Sequence, residues 1–214
     1  PQPDGLFTAG DVMLIQRIAL GQLDFSVPGN LFNIGDSIGE GEAADGTIGD
    51  KSHEKVWSTG FDGTDGVGSF NERFEAAAGP EYYENDPARD AIFNHAVSGA
   101  KMDDFLTQVQ NVVTAAASTP SGRVDSLAVL LGGNDVCASS MAAMTDPVLF
   151  EADYRAGLDM LAASPVTHFS QIHVSSIPAI YWLWNAKRGD FLCRWFIWPL
   201  VPCENLLDSP SDDC

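Results

Sequence analysis

Positive charge is scarce in this chain: 11 Lys and Arg stand against 30 Asp and Glu, for a formal charge of -19. A surface that acidic repels phosphate backbones, so nucleic acid is excluded as a partner. The acidic residues are spread along the chain among Gly and Ala, which reads as a solvating surface or divalent-cation sites, not an acidic tail. Long apolar runs are also missing. The most apolar stretch, Phe191 to Val201, is broken by Arg194 and Pro199 and is too short to span a bilayer, so no transmembrane segment is expected. The cysteines Cys137, Cys193, Cys203 and Cys214 have no C-x-x-C spacing and no histidine beside them, which argues against a zinc site. Internal repeats and low-complexity tracts are absent after residue 30.

What the chain does have is three apolar stretches, each delivering a small polar residue. Phe32-Asn33-Ile34-Gly35-Asp36-Ser37 reads as a strand running into a turn that presents a serine hydroxyl. Asn94 to Met102 runs from an apolar stretch through Gly99 into a helical pattern, and Leu130 to Asn134 reads as a buried strand ending in an asparagine. Around them, helical patterns are expected over Phe70 to Ala78, Met102 to Ala117 and Val148 to Ala163. Strands are expected from Leu31, over Ala91 to Val97, Ser126 to Leu131 and Gln171 to Ser176, with a Gly/Asp/Thr-rich loop reaching about Gly68. Strands alternating with helices imply an α/β fold with a parallel sheet, helices on both faces and functional groups at the carboxyl ends of strands.

The three blocks in this order, with Val56 to Gly60, Thr64 to Val67 and Ser176 to Tyr181, resemble the SGNH (GDSL-type) hydrolases, in particular a secreted, phospholipase-B-like branch. The resemblance covers residues 30 to 214 and implies a three-layer α/β sandwich. By motif, it implies Ser37 as nucleophile, with the Ser37 and Gly99 N–H groups and the Asn134 side-chain amide as donors to an oxyanion. Glycine at 99 lets a substrate approach the backbone closely, and an asparagine amide offers two donors without a charge. An esterase acting on ester or acetyl groups of lipids or polysaccharides is then expected, secreted, with no cofactor required for catalysis. In such a chain an even number of cysteines implies disulfides; Cys193 and Cys203 are closest, and three connectivities are open.

The family's base is a histidine in a C-terminal D-x-x-H block, and none follows here. The match at Asp50 to His53 lies directly after the serine block, in the wrong part of the chain; His95 and His173 sit in strand-like stretches. Two explanations stand: a fragment whose downstream residues supply Asp and His, or a catalytically degenerate relative serving as an extracellular structural or adhesive scaffold. A start at Pro1 and a stop within an acidic polar stretch favour the fragment, with a last strand and helix expected beyond Cys214.

Residues 1 to 29 read as a separate segment. Asp4, Gly5 and Asp11, followed by apolar residues at helical spacing, resemble part of a dockerin repeat. That resemblance implies calcium held by Asp4, Leu6 and Asp11, and cohesin or another copy of the chain as partner; an amphipathic helix preceded by an aspartate is the alternative. Trp182, Trp184, Trp195 and Trp198 crowd the last fifth, as pocket lining or as core.

Overall fold

The computed structural model describes residues 28–175 apart from 48 and 67, together with 185 and 189. The N-terminal segment with Asp4, Leu6 and Asp11, the clustered tryptophans, and Cys193, Cys203 and Cys214 lie outside the described residues.

Three parallel strands form the sheet in the order β1-β2-β3: β1 Phe32–Gly35, β2 Val124–Leu130 and β3 Thr167–Val174. The helices are α1 Phe70–Ala78, the single turn α2 Asp90–Phe93, α3 Phe105–Ala115, the single turn α4 Gly133–Val136, and α5 Pro147–Ala163. Side chains pack on both faces of the sheet, and every residue of β1 and β2 is buried. Register sets the faces: Phe32 pairs with Leu127 and Ile34 with Val129, and these four point into the larger core with Val109, Val112 and Leu161 of α3 and α5. The alternate residue Ala128 turns to the other face, where Leu31, Tyr82, Phe70 and Phe74 form a smaller core under α1. His173, level with Ala128 on β3, meets Phe70 and Phe74 on that face.

The expected strand over Ala91 to Val97 is not formed. Residues 90–93 make a helical turn instead, and the chain then extends along the free side of β1, with an isolated parallel bridge between Asn33 and Asn94. His95 N–H donates to Asn33 C=O at 2.9 Å and Val97 N–H to Gly35 C=O at 3.0 Å. The run Ala91-Ile92-Phe93 buries only Phe93 completely, and a short apolar run carries no period that separates a turn of helix from a strand. The loop after β1 has structure of its own. Glu42 bridges Lys51 in antiparallel fashion, and His53–Lys55 form a 3-10 turn.

Candidate active site

At the carboxyl end of β1 the backbone is gripped from several sides before it reaches Ser37. Gln108 of α3, fully buried, holds Gly35 with both ends of its amide, Nε2 to C=O and Oε1 from N–H, each at 2.9 Å. Asp36 N–H donates to Leu130 C=O of β2 at 3.2 Å. The chain then makes one tight turn, with Glu40 N–H on Asp36 C=O at 3.0 Å and Glu42 N–H on Ser37 C=O at 2.9 Å. Ser37 is half-buried on this turn and Ile38 is exposed. Gly39 has no room for a side chain, since a Cβ there would lie 2.8 Å from the Ala96 methyl; this close approach seats the serine turn on residues 94–97.

Gly99 is exposed in the loop that follows those residues, at φ +83°, where L side chains are strained. Nothing lies within 4 Å of where its Cβ would be, so backbone conformation is what demands glycine there, and the space beside it is open. Asn134 is half-buried on α4, just after β2, and its Nδ2 donates to Ala100 C=O at 2.9 Å. That bond uses one of the two amide N–H groups and leaves the other. The adjacent Asp135 is buried and accepts the Met102 N–H at 3.0 Å. The segments carrying Ser37, Gly99 and Asn134 are thus joined to one another at the carboxyl end of the sheet.

Two carboxyl groups beside these segments were not singled out by sequence reasoning. Asp36 is buried and caps the Ile38 N–H; burial raises its pKa above the ordinary value, the Ile38 bond opposes this and the nearby Asp135 charge adds to it. Glu40 accepts from the Ser98 N–H at 2.7 Å, the Ser98 hydroxyl at 2.5 Å and Lys51 Nζ at 2.5 Å. Burial works against its charge, but the Lys51 and Ser98 bonds outweigh it and lower its pKa. Nearness in sequence to the serine was the available signal for both; the long-range bonds from Ser98 to Glu40 have no signature in the sequence.

The described histidine side chains, those of His53, His95 and His173, make their contacts elsewhere. His53 bonds through Nδ1 to Asp90, whose other oxygen accepts from Asn85 at 3.0 Å. His95 donates from Nε2 to Ile92 C=O at 2.9 Å and stacks on Phe32, while His173 packs among Phe70 and Phe74. Among the described residues no histidine is hydrogen-bonded to Ser37. A cluster of His, Cys, Asp and Glu able to hold a metal is likewise absent among the described residues. No helix among them is long and apolar enough to cross a membrane.

A family model described as GDSL-like Lipase/Acylhydrolase matches residues 31–196, which takes in Ser37, Gly99 and Asn134. Neither a curated protein nor a solved structure gives a match to the chain.

Proposed function

Since the chain belongs to the GDSL-like lipase/acylhydrolase family, we propose that it is a serine esterase in which Ser37 is the nucleophile and the Ser37 N–H, the Gly99 N–H and the free Asn134 N–H form the oxyanion hole. The observation that carries this reading is the bond from Asn134 to Ala100, which ties the asparagine to the loop of Gly99 beside the serine turn. In the reaction the Ser37 oxygen adds to the ester carbonyl carbon and its proton passes to a base. The three N–H groups hold the resulting oxyanion, the C–O bond to the alcohol breaks with return of the proton, and water releases the acid by the reverse course.

The base is the open part of the proposal. The contacts of His53, His95 and His173 recommend none of them, so turnover of the 214-residue chain is expected to be slow, with the oxyanion donors supplying what rate there is. Substrates are proposed to be esters or acetyl groups of lipids or polysaccharides, in line with the phospholipase-B-like motifs. The dockerin-like start of the chain tips this toward polysaccharide deacetylation in a secreted, calcium-dependent assembly with cohesin-type partners. A disulfide at Cys137 belongs to the same extracellular reading.

Hydrolysis of p-nitrophenyl acetate tests the core of it. A slow release of nitrophenol that Ser37→Ala abolishes, and Asn134→Ala reduces by roughly 10²- to 10³-fold, is the expected result. Release unaffected by Ser37→Ala would sink the esterase and leave the non-catalytic scaffold. Fast release that needs Ser37 would keep the nucleophile and require a base after all, to be sought first at His53.

A further inference from the structure

The Gly99 loop poses a mechanical problem. Gly99, at φ +83°, lies within a turn closed by Ala100 N–H on Val97 C=O at 3.0 Å, and such a turn holds the Gly99 N–H aimed at a fixed point only if the turn itself is tied down on both sides. On the far side the ties are the Asn134 bond to Ala100 C=O and the Asp135 bond to the Met102 N–H. On the near side, Ser98 is held by carboxylates. We propose that Glu40 is a positioning residue for ester hydrolysis, clamping Ser98 so that the neighbouring Gly99 N–H stays aimed at the oxyanion.

Four features support Glu40 in that role, and the proposal rests on the esterase reading above. Its Oε2 accepts the Ser98 backbone N–H at 2.7 Å and lies 2.5 Å from the Ser98 hydroxyl, whose single proton it shares with Glu42, so the residue is held at both backbone and side chain. Glu40 closes the same turn that carries Ser37, through its N–H on Asp36 C=O, so the nucleophile and the donor loop move as one body. Its own carboxylate is steadied by Lys51 Nζ at 2.5 Å, and its side chain is only 12% exposed, so solvent competes little for the bonds. Glu42 touches the Ser98 hydroxyl as well, at 2.6 Å, but makes no bond to the Ser98 backbone, so it cannot stand in for Glu40.

The test compares Glu40→Ala, Glu40→Gln and Glu42→Gln in the full chain, with ester hydrolysis and amide hydrogen exchange as readouts. Glu40→Ala should lower kcat by about 10- to 100-fold, the cost of a displaced oxyanion donor, while KM changes less than about threefold. Exchange at Ser98 and Ala100, whose N–H groups are bonded to Glu40 and to Val97 C=O, should speed up by at least about tenfold, with β2 unchanged as the internal control against general unfolding. Glu40→Gln keeps an oxygen with two lone pairs for Ser98 and should recover most of the loss; Glu42→Gln should cost less than Glu40→Ala. Wild-type kcat in Glu40→Ala, unaltered exchange at Ser98 and Ala100, or a loss in Glu42→Gln equal to that in Glu40→Ala would each overturn the assignment. Ser37→Ala run alongside separates the two failures: full hydrolysis without Ser37 overturns the esterase itself and the positioning role with it, whatever the loop does.

Discussion

His95 shows how a single side chain can be committed to the fold while sitting in a block that function would claim. Its ring stacks on Phe32 and its Nε2–H is spent on Ile92 C=O. Burial lowers its pKa, against the smaller opposing pulls of the Ile92 carbonyl and Asp90. The sign of the consequence follows. An unfolded histidine takes up its proton near pH 6.5, whereas the folded one resists until lower pH, so the unfolded state binds more protons in between and stability falls as pH drops through that window. Denaturant titrations from pH 7.5 to 5 should show this decline, and His95→Gln, which cannot titrate, should reduce it, leaving the part due to His173, whose pKa burial also lowers. An identical pH dependence in the two proteins would mean that His95 contributes nothing to it. Gln108 is the opposite case, a residue with no ionisable group and no motif. Its pair of hydrogen bonds to Gly35 nevertheless fixes the backbone two residues before Ser37.

Elements were legible in the sequence where their length and period exceeded what local bonds could override. Helix α1 falls on Phe70–Ala78 as the pattern reads, because its start is written in the chain: Ser69 accepts the Glu72 N–H at 3.1 Å while Glu72 accepts the Ser69 N–H at 2.7 Å. Ser69 also donates to Gly60 C=O at 2.7 Å, joining the helix to the loop before it. Replacing it by Ala should cost about 1–2 kcal/mol, measured as a lowered denaturation midpoint with unchanged slope. A loss near zero would show that the Asn71 bond to Gly60 C=O, at 3.1 Å, suffices on its own. The stretch Ala91 to Val97 was misread for the converse reason. Its fate is decided by Asn33, whose amide holds Gly39 C=O and Asn94 Oδ1 at 2.9 Å each and accepts the Ser58 hydroxyl at 2.9 Å. An asparagine inside a strand pattern carries no sign of its partners; here it is fully buried and organises three separate segments. The same holds for the candidate site. The small residues Ser37, Gly99 and Asn134 stand out by motif and order, but the carboxylate of Glu40 and the amide of Gln108 act across distances in the chain that no local pattern encodes.

For the molecule as a whole the dominant physical fact is the charge of -19 on 214 residues. Basic side chains are largely spoken for in the described part: Lys51 pairs with Glu40, Arg89 with Asp86, Arg155 with Glu151. The acidic residues outnumber the basic ones by 19, so most carboxylates have no basic residue of their own. Their mutual repulsion is present in the compact state and relaxed in the expanded one, so it lowers stability, and dissolved salt should screen it. Raising NaCl from about 0.01 to about 1 M shortens the screening length from about 30 to about 3 Å, which removes most repulsion between separated surface charges. The melting temperature is therefore expected to rise by several degrees over that range, equally for NaCl and choline chloride, since screening depends on ionic strength and not on the cation. Calcium chloride at matched ionic strength then separates screening from binding. A further rise with calcium that is lost in Asp4→Asn with Asp11→Asn would support the dockerin-like ligand set. The same rise retained in that variant would move the ion to other carboxylates. A melting temperature that stayed flat or fell with NaCl would mean that the acidic surface is not a net burden on the fold, and that its charges are spaced widely enough for water alone to keep them apart.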